Sequence, residues 1–533
     1  MSDLHYFRKE WIQKSDQTLT VDICIYGASS AGVIAAIEAV ERGKTVALLQ
    51  PGKFVGGLTA GGLGWTDHGK EHVIGGKARE FYRRCGKHYG KAEEWYFEPK
   101  VATAVYEEWL KSAGVTPLFC QYLDKVETAG GKVTSITLLG GLKVSAKIFI
   151  DASYEGDLMA RAGVKYHVGR EDNSVYGETI NGAQVRGSHQ FAPAVVDPYV
   201  KEGDPSSGLL PHIEPIDQNK NQGKGDNRVQ AYNFRICMTN DPALIIPWEK
   251  PEKFNPIEYV LATRWFNVAD KDRFNEQLHT RPDGTLNPVP AKFDRFPNKT
   301  PGGFQKTDTN NHGPISSDYI GANWGWADGC YEDRERMFQE HVTYQKGYYW
   351  FMANDPSIPE RYRKAYSDWG LSKDEFPTTG GWSPQLYIRE ARRMVSDYVV
   401  TEGDTSHTRQ CNDPVAMGSY NLDSHNCTRF VNADGKVQND GDVQLPPKAP
   451  YGISYRSIVP SKGSIGNLFV PICCSTSHIA YGSVRMEPVF MILGESAAIA
   501  ACMAIDSGIA VQDLKYGDLR PKLEAAKQVL EHK

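Results

Sequence analysis

The amino-acid sequence predicts an α/β protein: a Rossmann-like domain with a parallel sheet, built from both ends of the chain, and an inserted α+β domain. Near the N-terminus the apolar strand Val21–Tyr26 runs into the turn GASSAG, and the alanine-rich helix Val33–Arg42 and the strand Thr45–Gln50 follow. A strand, helix and strand within roughly 30 residues form a βαβ unit with parallel strands. After residue 450 this alternation returns, whereas residues 170–450 are rich in Asn, Asp, Pro, Gly and aromatic side chains.

The remaining elements are predicted from periodicity and from turn residues. Gly43 ends the first helix. Pro488 suits the first turn of a late helix, where its missing N–H costs no hydrogen bond. The further expectations are a mainly helical stretch over 78–112, short strands over 118–150 around the turn Gly130–Gly131, a strand at Lys147–Ala152, helices over 331–352 and 384–400, a strand at Gly466–Ile472 and a helix at Pro488–Asp506.

These elements divide the 533 residues into more than one folding unit. A single domain usually holds about 100–200 residues, so two large lobes are expected. The predicted segments are an N-terminal arm (1–20), the first part of the nucleotide-binding domain (21–170), an inserted substrate domain (171–450), the second part of the nucleotide-binding domain (451–510) and a C-terminal helix (511–533).

The composition narrows the classes of partner. The net charge is −5, from 60 basic and 65 acidic side chains, and no long run of one sign occurs. A nucleic-acid-binding protein would need a basic face. No stretch approaches the roughly 18 apolar residues of a membrane helix, and the N-terminus lacks the apolar core of a signal peptide. We therefore expect a small-molecule substrate, no nucleic acid, no membrane and a cytoplasmic location, although a secreted protein without its leader would begin in the same way.

The ten cysteines are scattered, without a CxxC pair or a Cys/His quartet at zinc spacing. This distribution predicts neither a zinc site nor an iron–sulfur cluster, and no metal is expected. The adjacent pair Cys473–Cys474 fits two interpretations. It is either a strained redox disulfide or, as we favour, two small buried residues in an apolar strand.

The first motif with a chemical meaning is the turn after the first strand. In a GxGxxG fingerprint, the first glycine makes the turn, the second admits a diphosphate and the third lets helix and strand pack closely. N–H groups at the helix start then bind the phosphates. Here a serine replaces the second glycine, and an ordinary βα turn is the alternative. The residues expected to line the diphosphate are Gly27, Ser29, Ser30, Ala31 and Gly32.

The second strand ends at Gln50, where dinucleotide-binding proteins usually have an acid that accepts hydrogen bonds from ribose. An amide is a weaker acceptor than a carboxylate, and it does not repel a 2′-phosphate. Gln50 therefore leaves a nicotinamide cofactor open as an alternative. The pair Gly56–Gly57 favours a loop wrapped along a longer dinucleotide.

Two later segments carry further candidates. The strand ending in DASYEGD brings Ala152 and Asp157 toward the same sheet edge, with a capped turn as the alternative. The segment STSHIAYGSVRMEP precedes the late helix, whose N-terminus would stabilise the negative charge of a reduced flavin. His478 is then a candidate base and Arg485 a candidate for substrate orientation, although either could be purely structural.

Three arginines lie close together in LYIREARRMVSDYVVT, which is predicted as a helix. At helical spacing Arg389 and Arg393 share one face and Arg392 lies beside it. We expect Arg389 to bind a substrate carboxylate or hydroxyl groups, since a guanidinium is a bidentate donor. For the other two arginines we expect surface ion pairs with Glu390, Asp397 and Glu402.

With these motifs the chain resembles the FAD-dependent oxidoreductases of the glutathione-reductase-like superfamily, some members of which carry the label xanthan lyase. The resemblance spans nearly the whole chain and rests on GASSAG, PGKFVGGLTAGGLGWTD, FIDASYEGDLMARAG, KTDTNNHGPISSDYIGANW, GLSKDEF, LYIREARRM and SHIAYGSVRMEPVFMILGESAAIAA. It implies non-covalently bound FAD in a two-lobed fold. The further contacts it implies are Gly57 and Leu58 along the dinucleotide, the Val126 backbone at adenine, Ala152 and Asp157 toward the flavin, and the 482–487 turn, with Gly482 and Ser483, at the isoalloxazine ring.

The expected function is an FAD-dependent oxidoreductase that transfers a hydride from a polar small molecule to flavin N5. His478, Arg389 and Arg485 are the expected catalytic residues. A carbohydrate-like substrate is suggested by aromatic residues of the inserted segment, namely Trp324, Trp326, Tyr349 and Trp350. The alternatives are an NAD(P)-dependent dehydrogenase, a flavin-containing lyase or isomerase acting on a carbohydrate, and a binding protein with an inactive flavin fold. The sequence does not indicate the electron acceptor.

Overall fold

The computed structural model describes residues 3–187, 189–191, 195–271 and 292–532. Its strands are β1 Thr18–Tyr26, β2 Val46–Leu49, β3 Leu123–Ala129, β4 Lys132–Leu138, β5 Lys143–Asp151, β6 Tyr166–Val168, β7 Asn233–Phe234, β8 Met238–Thr239, β9 Ile245–Ile246, β10 Lys292–Lys299, β11 Gln305–Asn310, β12 Gly370–Ser372, β13 Leu386–Tyr387, β14 Arg392–Met394, β15 Pro414–Gly418, β16 Leu422–Ser424, β17 Thr428–Val431, β18 Val437–Asp440, β19 Val443–Leu445, β20 Tyr451–Ser454 and β21 Leu468–Phe469. The α-helices are α1 Ser30–Glu41, α2 Gly57–Ala60, α3 Gly76–His88, α4 Pro99–Ala113, α5 Asp157–Arg161, α6 Asn173–Tyr176, α7 Val260–Lys271, α8 Tyr331–Asn354, α9 Glu360–Ser367, α10 Glu402–Thr405, α11 His478–Val484, α12 Glu487–Ser507 and α13 Tyr516–Ala525.

The main sheet has the strand order β2-β1-β5-β4-β3, and β21 also pairs with β5. β1 is parallel to β2 and to β5, and β21 is parallel to β5, whereas β3 and β4 form an antiparallel extension. The apolar ends of the strands are buried on both faces, as in a parallel sheet covered by helices. The predicted α/β fold with a Rossmann-like sheet is confirmed, and β21 shows that the C-terminal part of the chain completes it.

The N-terminal segment differs from the predicted polar arm. β1 begins at Thr18, so the end of residues 1–20 belongs to the sheet. Phe7 packs with Tyr122 and Tyr331 in a small apolar cluster. Backbone N–H groups of Tyr6 and Phe7 donate to the Glu335 carboxylate at 2.7 and 3.0 Å. Buried aromatic residues and these hydrogen bonds hold the segment against α8.

The long apolar helix α12 lies in the core against α1. It has the length and mean hydropathy, 1.8, of a membrane-spanning helix, but 89% of its most apolar window is buried inside the fold. Its small residues allow close contact, because a Cβ at Gly494 would lie 2.3 Å from the Ala31 carbonyl oxygen. α12 therefore packs as a core helix, within one residue of the predicted bounds.

Two predicted helical stretches have different outcomes. The stretch 78–112 is mainly helical, as predicted, and consists of α3 and α4, because Pro99 begins a new helix. The stretch 384–400 is not helical: β13 pairs with β7 and β14 pairs with β6, both antiparallel. Partner strands and buried acids here outweigh local helix propensity. The predicted shared helix face of Arg389 and Arg393 is therefore wrong.

The region 171–450 contains a separate five-stranded sheet, with the order β10-β11-β8-β12-β9, several two-stranded ribbons and the long helix α8. α8 confirms the helix predicted over 331–352. The domain boundaries remain a prediction. Cys473 and Cys474 are fully buried with free thiols, which agrees with the favoured interpretation, although they follow β21 rather than lie in a strand.

Candidate functional site

The carboxyl ends of three parallel strands meet at one edge of the main sheet. Tyr26 of β1 lies opposite Leu49 of β2 and Asp151 of β5, so the next residues along the chain come together. They border a cavity whose empty space, open solvent included, is about 1070 Å³. Predicted cofactor residues that line it are Gly27, Ser29, Gln50, Gly57 and Ala152.

The turn after β1 leaves no room for side chains at its two glycines. Gly27 has φ +99°, and a Cβ there would lie 2.6 Å from the Ala152 carbonyl. A Cβ at Gly32 would lie 1.9 Å from the Gly27 carbonyl oxygen. Ser29, in place of the usual second glycine, donates its hydroxyl to the Ala152 carbonyl at 2.8 Å and accepts from the Gly32 N–H at 3.3 Å. The serine therefore caps α1 and ties the turn to β5.

This turn can hold a diphosphate. The first N–H groups of an α-helix have no acceptor within the helix. Ser29 satisfies only the N–H of Gly32, so those of Ser30 and Ala31 remain available at the positive end of α1. Their side chains are buried, and neither residue lines the cavity. Free backbone N–H groups at a helix start, beside a glycine turn that has no room for side chains, fit the diphosphate of a dinucleotide.

Gln50 lies where the sequence predicts the ribose contact. The side-chain Oε1 of Gln50 accepts from the Ala28 N–H at 2.8 Å, and the backbone N–H of Gln50 donates to the Leu118 carbonyl at 2.8 Å. Gln50 and Phe119 line the same end of the cavity. The side chain thus fixes the turn and still faces the site.

Changing Gln50 to glutamate tests this position. A carboxylate keeps the acceptor for Ala28 and accepts more strongly from ribose hydroxyls. We expect Gln50→Glu to tighten FAD binding several-fold, about 1 kcal/mol, measured by fluorescence titration of the apoprotein. Gln50→Ala is the control and should weaken binding. Equal affinities of all three proteins would show that this side chain does not meet the ribose.

The short helix α2 is hydrogen-bonded to the start of α12 through Tyr154 and Thr59. The Leu58 N–H donates to the Tyr154 hydroxyl at 2.9 Å, and Tyr154 donates to Glu487 at 2.9 Å. Thr59 donates to the same carboxylate at 2.6 Å. Burial raises the pKa of Glu487, although these hydrogen bonds act in the opposite direction and lower it. Leu58 is buried and does not line the cavity, so its predicted cofactor contact is not supported, whereas Tyr154 lines it and was missed.

The sequence predicts that Asp157 approaches the flavin, but Asp157 does not line the cavity. Its carboxylate pairs with Arg334 at 2.6 and 2.9 Å and with Arg392 at 2.8 Å. Burial raises the pKa of Asp157, but the two guanidinium groups outweigh burial and hold it below its usual range. Glu155 lines the cavity instead, and Tyr6 donates to it at 3.1 Å.

Three other predicted contacts also lie away from the cavity. Val126 is in β3, opposite Ile136. Gly482 and Ser483 belong to α11, not to a turn as predicted. The α11 helix packs on β16: a Cβ at Gly482 would lie 2.5 Å from the Asp423 carbonyl oxygen. The cavity, as it stands, is lined by none of these three residues.

His478 is buried and does not line the cavity. Its Nδ1 lies 2.8 Å from Glu390 Oε2, and its Nε2 lies 3.2 Å from the Ser424 hydroxyl. Both ring nitrogens are therefore engaged, which does not favour the predicted base. Ligand atoms of Glu390, Cys427 and His478 lie within 4.8 Å of one another. The hydrogen bond between His478 and Glu390 explains why two of these three residues lie close together.

The other two predicted catalytic residues come together around Tyr387. The guanidinium carbons of Arg389, Arg485 and Arg235 lie 4.6, 5.6 and 5.8 Å from the centre of its ring. Arg485 also donates to the Tyr387 hydroxyl at 2.6 Å. We call these four residues the donor cluster. Sequence reasoning missed Arg235 because it lies in an irregular segment that is distant in sequence from Tyr387.

Each arginine of the donor cluster has an acidic partner. Arg235 Nε donates to Asp308 at 2.8 Å. Arg389 and Arg485 pair with other aspartates, Asp318 at 2.9 Å and Asp423 at 3.1 Å. Within the described parts of the chain, three buried N–H groups of the cluster still have no hydrogen-bond partner: Arg235 Nη1, Arg389 Nε and Arg485 Nε.

The neighbouring arginines differ from their predicted surface role. Arg393 is fully buried and pairs with Glu171 at 2.8 Å. Arg392 is buried too and bridges Asp157 to the exposed Asp328. The high cost of a buried unpaired charge explains why each guanidinium has an acid.

The donor cluster adjoins the cofactor cavity. Leu386, the residue before Tyr387, lines the cavity, as does Gly61. A Cβ at the next position, Gly62, would lie 1.9 Å from the Arg235 carbonyl oxygen, so this loop packs directly on Arg235.

A second cavity, which is open to solvent, lies near Asp308, the acidic partner of Arg235. Trp65, Asp67 and Tyr420 line it, and Tyr420 donates to Asp67 at 2.8 Å. The Trp65 N–H donates at 3.0 Å to Asp308, the partner of Arg235. None of the four residues of the donor cluster lines this cavity, and the connection between them runs through Asp308.

Comparison with solved structures finds alignments to parts of flavoenzymes. L-proline dehydrogenase from P. horikoshii aligns at 14% identity over 29% of this chain and 59% of its own, with a TM-score of 0.24. A cyclohexanone-bound cyclohexanone monooxygenase aligns at 15% identity over 26% and 27%, and an NADP-bound steroid monooxygenase at 17% over 26% and 26%, both with a TM-score of 0.20. The chain spans less than two thirds of the length of these structures.

A search of curated proteins finds no match. A family model described as FAD dependent oxidoreductase matches residues 22–523, nearly the whole chain. The helix start, the glycine turn and the cavity of this structure fit the cofactor that this description names. The chain therefore belongs to the family of FAD dependent oxidoreductases, and its cofactor is FAD.

Proposed function

We propose that this enzyme oxidises a polar small molecule that binds between the FAD cavity and the donor cluster. The observation that carries the proposal is the set of three buried guanidinium N–H groups without partners beside the cavity. A buried donor without an acceptor costs about 1–3 kcal/mol, so such groups need an explanation. A substrate oxygen would supply the acceptor.

The chain's own residues have separable roles in this proposal. Gly27, Ser30 and Ala31 hold the diphosphate through backbone groups, and Gln50 holds the ribose. FAD, when bound, supplies an acceptor for a hydride. The donor cluster orients the substrate, and its burial excludes water from the reacting atoms.

Two predicted features of the mechanism receive different support. Arg389 and Arg485 lie in the donor cluster, which favours their orienting role. His478 has no free ring nitrogen, and we propose that it positions Glu390, whose carboxylate also accepts from the Gln230 N–H at 2.9 Å. Gln230 in turn lies 3.4 Å from Arg485.

The carbohydrate expectation has less support. Trp326 and Tyr349 are fully buried, and Trp350 packs against Phe254. Neither the FAD cavity nor the second cavity is lined by any of these three residues or by Trp324. The polar groups at the site are thus a better guide to the substrate than the aromatic content of the inserted segment.

Anaerobic reduction of the bound flavin tests the proposal. The holoenzyme is mixed with alcohols, hydroxy acids, sugars and amines, and loss of flavin absorbance is followed. We expect one chemical class to reduce the flavin and the others to leave it oxidised. If dithionite reduces the flavin but no compound in a broad panel does so, hydride transfer from such a molecule is not the function.

A further inference from the structure

The donor cluster offers hydrogen-bond donors to a ligand. Arg235, Arg389 and Arg485 are almost fully buried, and an arginine side chain has no acceptor. The Tyr387 hydroxyl already accepts from Arg485 at 2.6 Å, so its own hydrogen is free to be donated. Burial raises the pKa of Tyr387 against the lowering effect of Arg485 and Arg389, which keeps this hydroxyl protonated.

Each guanidinium of the donor cluster is matched by an acid. The three carboxylates are those of Asp308, Asp318 and Asp423. His425 lies between two of these acids, 2.8 Å from Asp318 and 3.7 Å from Asp423. The charges of the three pairs cancel, and the Asp67 carboxylate is a further negative charge that acts on Arg235 and Arg485.

We infer that the substrate carries a carboxylate and that the donor cluster binds it. A carboxylate only accepts hydrogen bonds and has two oxygens, which match several converging N–H and O–H donors. A hydroxyl group has a single oxygen with two lone pairs, so it can accept from fewer of these donors than a carboxylate can. This inference rests on the proposed function and names the substrate class for the same site.

Two substitutions remove donors of the cluster and keep the charge balance. Arg389→Lys retains a cation for Asp318 but replaces the planar guanidinium, with its Nε, by a single ammonium group. Tyr387→Phe removes only the hydroxyl. Arg170→Lys is the matched control, because Arg170 is equally buried and paired with Asp226 and Asp440, and it lies outside the cluster.

Binding is measured through the flavin difference spectrum, which needs no turnover. The probes are lactate and propane-1,2-diol, which share a carbon skeleton and differ in the carboxylate, and gluconate with glucitol as a second pair. We expect the carboxylates to perturb the spectrum and the polyols to bind at least 10-fold more weakly. Each cluster variant should lose about 10- to 100-fold in carboxylate affinity, whereas Arg170→Lys should not.

The outcomes separate this inference from the proposed function. Polyols that bind as tightly as their matched acids would overturn the inference, as would carboxylate binding that is unchanged in both cluster variants. If carboxylates bind at the cluster but no compound reduces the flavin, the inference stands and the proposed function fails. If only neutral compounds reduce the flavin, the function stands and the carboxylate inference fails.

Discussion

Substituting alanine for Gly32 is expected to abolish stable FAD binding. The new Cβ would lie 1.9 Å from the Gly27 carbonyl oxygen, so the turn must open and α1 must shift. The N–H groups of Ser30 and Ala31 would then no longer point toward the diphosphate. Two charge-assisted hydrogen bonds are worth about 3 kcal/mol or more, which corresponds to at least about 100-fold in affinity. FAD retention after gel filtration and titration of the apoprotein measure the change.

Gly43→Ala is the matched control for this substitution. Gly43 follows the same helix with φ +79°, but a Cβ there would meet nothing within 4 Å. Its cost is only the left-handed conformation of an alanine, about 1–2 kcal/mol of stability. Normal FAD affinity in a folded Gly32→Ala protein would contradict the assigned role of the turn.

Asp157→Asn is expected to lower the free energy of unfolding by about 3–5 kcal/mol, because it leaves two buried guanidinium groups without their shared carboxylate. Arg334 would lose the only acidic partner that it has at hydrogen-bond distance among the described residues. Arg392 would keep Asp328 at 3.1 Å, an acid that is 64% exposed. Urea unfolding of the FAD-free proteins measures the loss without a contribution from the cofactor.

The pH dependence of this loss has a definite sign. The folded-state pKa of Asp157 is held below its usual value, so the stabilisation is present at neutral pH and falls as acid protonates the carboxylate. The difference between the wild type and Asp157→Asn should therefore narrow below about pH 4. Asp328→Asn is the control and should cost less than about 1 kcal/mol, as for exposed pairs. A pH-independent difference would mean that the substitution acts through packing alone.

The parts of the fold that sequence reasoning predicted correctly have local causes. The apolar run of β1, the glycine turn and the alanine-rich helix α1 are adjacent along the chain, so their pattern is sufficient to predict a dinucleotide site. The same holds for α12, whose mostly apolar and small residues lie within one stretch of twenty-one positions. The position of Gly27, Gln50 and Ala152 at the cavity was predictable because each follows a parallel strand, and their contacts with the cofactor stay a prediction.

The errors arise where distant residues decide the structure. The stretch around Arg389 has helical spacing, but antiparallel partners and buried aspartates hold it extended. Asp157 follows a parallel strand at a position where a cofactor contact is expected, yet its carboxylate pairs with two arginines that are distant in sequence. Arg235 could not be identified from its neighbours in sequence, since only the fold brings it to Tyr387.

The most direct test of the account is the FAD content of the purified, folded protein and its uptake of added FAD. The account predicts stoichiometric FAD, released by denaturation and rebound by the apoprotein with quenching of flavin fluorescence. A folded protein that contains no flavin and takes up none would contradict it.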